Sequence, residues 1–140
     1  MRNLIKLLIS FVLIIGILGC SSELNVDAAK SEVDNFHKLM SIEAYSEIYN
    51  SMASILKNTG AKSQTVEILS KIRNKLGKCN EANINGWSIQ KPSSGSDSYI
   101  ILTYRVTYEH GKGTETFHVV NENGTMRISF YNMGSDDLFK

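Results

Sequence analysis

The sequence predicts an α+β domain in which N-terminal helices pack on a curved, four-stranded antiparallel sheet. Two patterns and one turn predict it. Apolar residues recur at helical spacing as far as Leu76, then at the two-residue period of strands from Trp87 onward. Asn123-Gly124 between two such runs is the signature of a tight hairpin. Helices first and strands afterwards give segregated layers rather than alternating βαβ units.

Ala29, Val33, Phe36 and Met40 form one apolar stripe, with Asp27 as the expected N-cap. Tyr45, Ile48, Tyr49 and Met52 make a second helical segment starting near Ile42. No Pro or Gly separates the two, so one bent helix or two helices both fit. Asn58-Thr59-Gly60 breaks the pattern. A further helix follows, with Ser63 as its cap, Val66, Leu69, Ile72 and Leu76 on one side, and Gly77 where a C′ glycine belongs.

The meander is expected over about residues 83–133. Trp87 and Ile89 begin a strand that stops at Pro92-Ser93-Ser94-Gly95-Ser96. Ile100, Leu102, Tyr104, Val106 and Tyr108 give the next strand one apolar face. His110-Gly111-Lys112-Gly113 turns the chain back. Phe117 and Val119 continue that face, and Met126, Ile128 and Phe130 close it. The hairpin explains the glycosylation-type triplet Asn123-Gly124-Thr125 in full. Residues 134–140 are polar and expected to fray.

Ahead of this domain lies a different kind of segment. Arg2 and Lys6 precede the apolar run Leu7 to Leu18, which is too short to span a bilayer and has the layout of a secretory signal. The ending Leu18-Gly19-Cys20 resembles the lipobox of bacterial lipoproteins. That resemblance implies a signal peptide over 1–19, diacylglycerol transfer to the Cys20 thiol and cleavage before it. The alternative is an ordinary signal peptide with a chance cysteine. Residues 20–26 would then be a lipidated tether and 27–133 the single domain. Ser21 after the cysteine resembles lipoproteins sent to the outer membrane of a two-membrane cell. In a single-membrane host the anchor would hold the domain on the outer face of the cell membrane.

Charge excludes one class of partner. The chain carries +1, and loss of Arg2 and Lys6 takes the mature side chains to −1. A near-neutral domain has no field suited to nucleic acid. Lys71, Arg73, Lys75 and Lys78 fit the C-terminal turns of a helix. Cys79 would be the one free thiol of the mature chain. It is expected to be largely buried or unpaired near the helix-to-sheet junction, with no His within thirty residues and no Cys-x-x-Cys to suggest chemistry. No metal-ligand spacing and no cofactor motif occur.

The order of elements resembles the cystatin-like cone of the NTF2-like superfamily. The resemblance rests on Ala44-Tyr45-Ser46-Glu47-Ile48-Tyr49, Ile72-Arg73-Asn74-Lys75-Leu76-Gly77, the Tyr99-to-Tyr108 strand and Gly124-Thr125-Met126-Arg127-Ile128. Met126 departs from the tryptophan such domains often carry there. The resemblance implies either an enzyme with a carboxylate or His-carboxylate base inside the cone, or an inert binding module. The inward positions expected here, Ile100 to Tyr108 in steps of two, then Phe117, Val119, Met126, Ile128 and Phe130, include no Asp, Glu or His. No catalytic residue is therefore assigned. His37, Tyr45, Tyr49, Tyr104 and Tyr108 are candidates for lining a ligand pocket, and serve equally well as core. His110 and His118 fall on a turn and on the outer sheet face. The expected function is a membrane-tethered, non-catalytic envelope domain that binds a protein partner or a small apolar ligand. A small hydrolase or isomerase with its site inside the cone is the alternative.

Overall fold

The computed structural model describes residues 23–140, so the signal segment and Cys20 lie outside the described residues. Four helices, α1 (Val26–Ser41), α2 (Tyr45–Ser51), α3 (Ser54–Thr59) and α4 (Lys62–Leu76), precede four strands. These are β1 (Cys79–Gln90), β2 (Tyr99–Tyr108), β3 (Gly111–Glu122) and β4 (Thr125–Gly134), all antiparallel and in sheet order β1-β2-β3-β4. This is the expected α+β class, with an open sheet.

The α1 stripe is buried as its spacing requires: Ala29, Val33, Phe36 and Met40 enter one core with Ile48, Leu69, Ile72 and Leu76. The cap is Asn25 rather than Asp27. Asn25 has the extended backbone of a cap and its Oδ1 accepts from the Ala28 N–H at 2.9 Å, whereas Asp27 already lies in the first turn. The first two segments are separate helices. Glu43 adopts a left-handed φ of 59°, and the Ala44 N–H donates to Leu39 O at 2.9 Å, which terminates α1. A second break at Met52-Ala53 detaches α3, because the Ala53 N–H leaves the helix to donate to Ile128 O on β4 at 2.8 Å. Ala61, not Ser63, precedes α4, and it makes no side-chain cap; Ser63 is already helical. Gly77 ends α4 with φ 78°, as expected.

The inner face of β2 follows its alternation completely, with Ile100, Leu102, Tyr104, Val106 and Tyr108 all buried. Asn123 and Gly124 both have positive φ, the conformation of a type I′ hairpin. Two elements differ from expectation. β1 begins at Cys79, and its second half is exposed, so Trp87 and Ile89 sit near its end rather than its start. In β4 the register shifts between the pairs His118↔Phe130 and Val119↔Ile128, leaving Ser129 as the extra residue. The bulge reverses the faces beyond it. Phe130 turns outward, 43% exposed, and Tyr131 turns in toward the core.

The tail folds back instead of fraying. Asp136–Phe139 form a 3-10 turn, Asp137 Oδ2 accepts from the Lys112 N–H at 3.2 Å, and Leu138 packs on the core.

Candidate functional site

Tyr104 and Tyr108 stand four residues apart on the inner face of β2, and the β2–β3 register sets Glu115 opposite Tyr104. Period two then turns Glu115 inward with Phe117 and Val119. Its side chain is fully buried, which contradicts the expectation that no carboxylate enters the interior. The bulge in β4 supplies Tyr131 from the fourth strand, and α1 lays His37 across the top.

These groups converge on one carboxylate. Oε1 of Glu115 accepts from the hydroxyls of Tyr108 and Tyr131, each at 2.9 Å, and Oε2 is hydrogen-bonded to Nε2 of His37 at 2.5 Å. A buried carboxylate is costly unless it is hydrogen-bonded and paired, and here both oxygens are engaged. Rings enclose it: Phe36 meets Phe117 edge-on at 5.1 Å, and His37 meets Tyr104 at 5.7 Å. His37 retains 16% side-chain exposure, so the cluster touches solvent at one edge.

Burial and the Glu115 charge act together on the neighbouring acids. Tyr104 is pushed up to about 12, by desolvation first and then by Asp34 and Glu115. Tyr108 and Tyr131 are raised by the same two causes, desolvation leading. Cys79, opposite Tyr108 in the sheet, is raised to about 11 by desolvation and then by Glu115. It is half-buried and free at the helix-to-sheet junction. These acids keep their protons at neutral pH and act as donors, not nucleophiles.

Of the candidates read from sequence, His37, Tyr104 and Tyr108 join this cluster. Tyr45 and Tyr49 do not. Tyr45 is raised by burial and by Glu43, near Arg73, and the Tyr49 hydroxyl donates to Gly60 O at 3.5 Å. Sequence reasoning missed Glu115 and Tyr131. Glu115 was legible in the step of two back from Val119 through Phe117; Tyr131 was hidden by the bulge.

An apolar groove of about 630 Å³ runs between α4 and β4, lined by Ile68, Ile72, Tyr131, Met133 and Leu138 with Lys71 at its rim. A smaller hollow of about 210 Å³ lies on the other side of Ile68, bounded by Met52, Leu56, Leu69 and the same Tyr131. One ring of the buried cluster thus also forms a wall of both grooves. On the outer sheet face His118 stacks on Tyr99 at 4.8 Å, and burial lowers its pKa. His110 lies on the turn after β2, where its N–H donates to Leu76 O. Among the described residues, no three His, Cys, Asp or Glu side chains gather to hold a metal, and no helix is long and apolar enough to cross a membrane.

No curated protein matches the chain. A family model described as "Protein of unknown function (DUF4019)" matches residues 33–131, a span that contains every member of the buried cluster. The chain belongs to that DUF4019 family.

Proposed function

We propose that this protein is a lipid-anchored lipoprotein of the cell envelope whose domain is a non-catalytic binding module shaped like an NTF2-like or cystatin-like cone. Leu18-Gly19-Cys20 supports the anchor, with acyl chains on Cys20 holding the domain against a membrane. In a two-membrane cell this is the outer membrane, facing the periplasm; otherwise it is the outer face of the cell membrane. The groove between α4 and β4 carries the binding reading, because its volume and apolar walls suit a small apolar ligand or the side chains of an envelope protein. Ile68 at that groove is 56% exposed, a large apolar side chain without a cover. Neither cofactor nor nucleic acid enters this reading.

Labelled palmitate tests the anchor. The full-length chain should incorporate it and fractionate with membranes, and Cys20→Ala should leave an unlabelled precursor. Normal maturation and membrane retention of Cys20→Ala would overturn the lipoprotein assignment.

One observation favours a second reading, a hydrolase or isomerase inside the cone: the His37–Glu115 pair is the arrangement a general base uses. Such a site must admit substrate to His37. Diethylpyrocarbonate should then modify His37 as fast as a free imidazole, whereas the binding reading expects strong protection.

A further inference from the structure

The two edges of the sheet are treated differently. The β4 edge is capped: the Ala53 N–H donates to Ile128 O at 2.8 Å, and Arg127 Nη1 reaches Ser51 O at 2.9 Å. Over 82–90 the β1 edge receives no hydrogen bond from any loop or helix among the described residues. An open edge is a template for pairing, and proteins usually blunt it with charges or proline. Over 82–90 β1 has no proline and no charged residue; the one charge of the strand, Glu81, precedes that stretch.

The face beside that edge is also uncovered. The register places Ala82, Ile84, Trp87 and Ile89 opposite Val106, Tyr104, Leu102 and Ile100, on the inner face. Cys79 and Ala82 reach the core, but Ile84, Trp87 and Ile89 are 42%, 53% and 40% exposed. The bulge between Ile84 and Gly86 keeps all four on one side despite their uneven spacing. Their spacing is also palindromic about Asn85-Gly86.

We infer that β1 pairs antiparallel with β1 of a second copy of this chain across a two-fold axis, joining two sheets into one. The palindrome specifies the partner. Turned about Asn85-Gly86, Ile84 meets Trp87 of the second copy and Ala82 meets Ile89, apolar on apolar. On the outer face Asn83 meets Ser88 and Glu81 meets Gln90, so no like charges oppose each other. A two-fold interface uses one self-complementary patch, which is what this strand offers. The inference is independent of the α4–β4 groove.

Cross-linking in the full chain tests it. Directly opposed residues of an antiparallel pair lie within disulfide reach, whereas positions 83 and 88 of one extended strand do not. In a Cys79→Ser background, the double variant Asn83→Cys/Ser88→Cys should give a covalent dimer on mild oxidation, and either single variant should give far less. Adding Trp87→Glu should lower the dimer yield at least about tenfold by removing the central apolar contact. Its circular dichroism should match the parent, since Trp87 is exposed in the single chain. Light scattering of the parent should report twice the chain mass. A double variant that stays monomeric, a yield unchanged by Trp87→Glu, or cross-linking to a different protein would each overturn the pairing.

Discussion

His37 and Glu115 are 78 residues apart in sequence and hydrogen-bonded at 2.5 Å, tying the first helix to the middle of the sheet. The contact lets a helix with a polar side chain on its core-facing edge close over a sheet that buries a carboxylate. Tyr108 and Tyr131 complete the set from the strands on either side of β3, so three strands and one helix share a single polar centre. A centre of this kind penalises any packing in which one partner is displaced, because a buried charge is then left unmatched.

Glu115→Ala should therefore cost about 3–5 kcal/mol, since it orphans two tyrosine hydroxyls and His37 in the interior. Glu115→Gln keeps the shape and one acceptor and should cost less, about 1–2 kcal/mol. Urea unfolding measures both. Near-equal losses would show that the carboxylate, which neither variant keeps, carries the whole effect and that the volume and acceptor retained by Gln count for nothing.

Stability should fall on the alkaline side. Cys79 and Tyr104 are raised to about 11 and about 12, and Tyr108 and Tyr131 are raised as well. An acid raised in the fold keeps a proton that the unfolded chain releases. Its contribution is complete below the unfolded values, about 8.5 for Cys and about 10 for Tyr, and is lost as pH climbs through the folded ones. Melting temperatures should decline from about pH 9 to 12, and a flat profile would contradict these shifts. Iodoacetamide at pH 8 should meet roughly a hundredfold less Cys79 thiolate than in the unfolded chain.

Phe117 and Phe130 should respond very differently to truncation. Phe117 is fully buried, so Phe117→Ala should cost about 3–5 kcal/mol. Phe130 faces outward beyond the bulge and lies over His118 at 4.6 Å, so Phe130→Ala should cost about 1 kcal/mol. Equal costs would mean that β4 runs without the bulge.

Gly77 and Gly124 both hold positive φ, in different surroundings. A Cβ on Gly77 would stand 2.5 Å from Glu109 Oε2 and 2.8 Å from Glu109 Cβ, whereas nothing lies within 4 Å at Gly124. Gly124→Ala should cost about 1 kcal/mol of backbone strain, and Gly77→Ala about 1 kcal/mol more. Thermal melts compare them directly.

The helical stripe of α1 and the inner face of β2 were legible because each keeps an unbroken period over a long run. The break at Glu43 was not, since a left-handed glutamate carries none of the signal that glycine would. β1 was only half legible, because a strand exposed on both faces has no burial to impose alternation. Glu115 shares the period of Phe117 and Val119, but an inward carboxylate runs against the rule that reads those positions as apolar. Its partners His37 and Tyr131 become visible only when three elements are brought together. One of the three carries an extra residue that shifts the faces.

The binding reading is tested most directly at Ile68, on the wall of the α4–β4 groove. A photo-reactive phenylalanine placed there in the full-length chain, irradiated in intact cells, should give one discrete adduct with a protein or lipid. The adduct should disappear in Cys20→Ala, which lacks the anchor, and should not form from Ser94 on the exposed loop after β1. No adduct from Ile68 when Cys20 is intact, or the same adduct from Ser94, would contradict a tethered domain that binds through this groove.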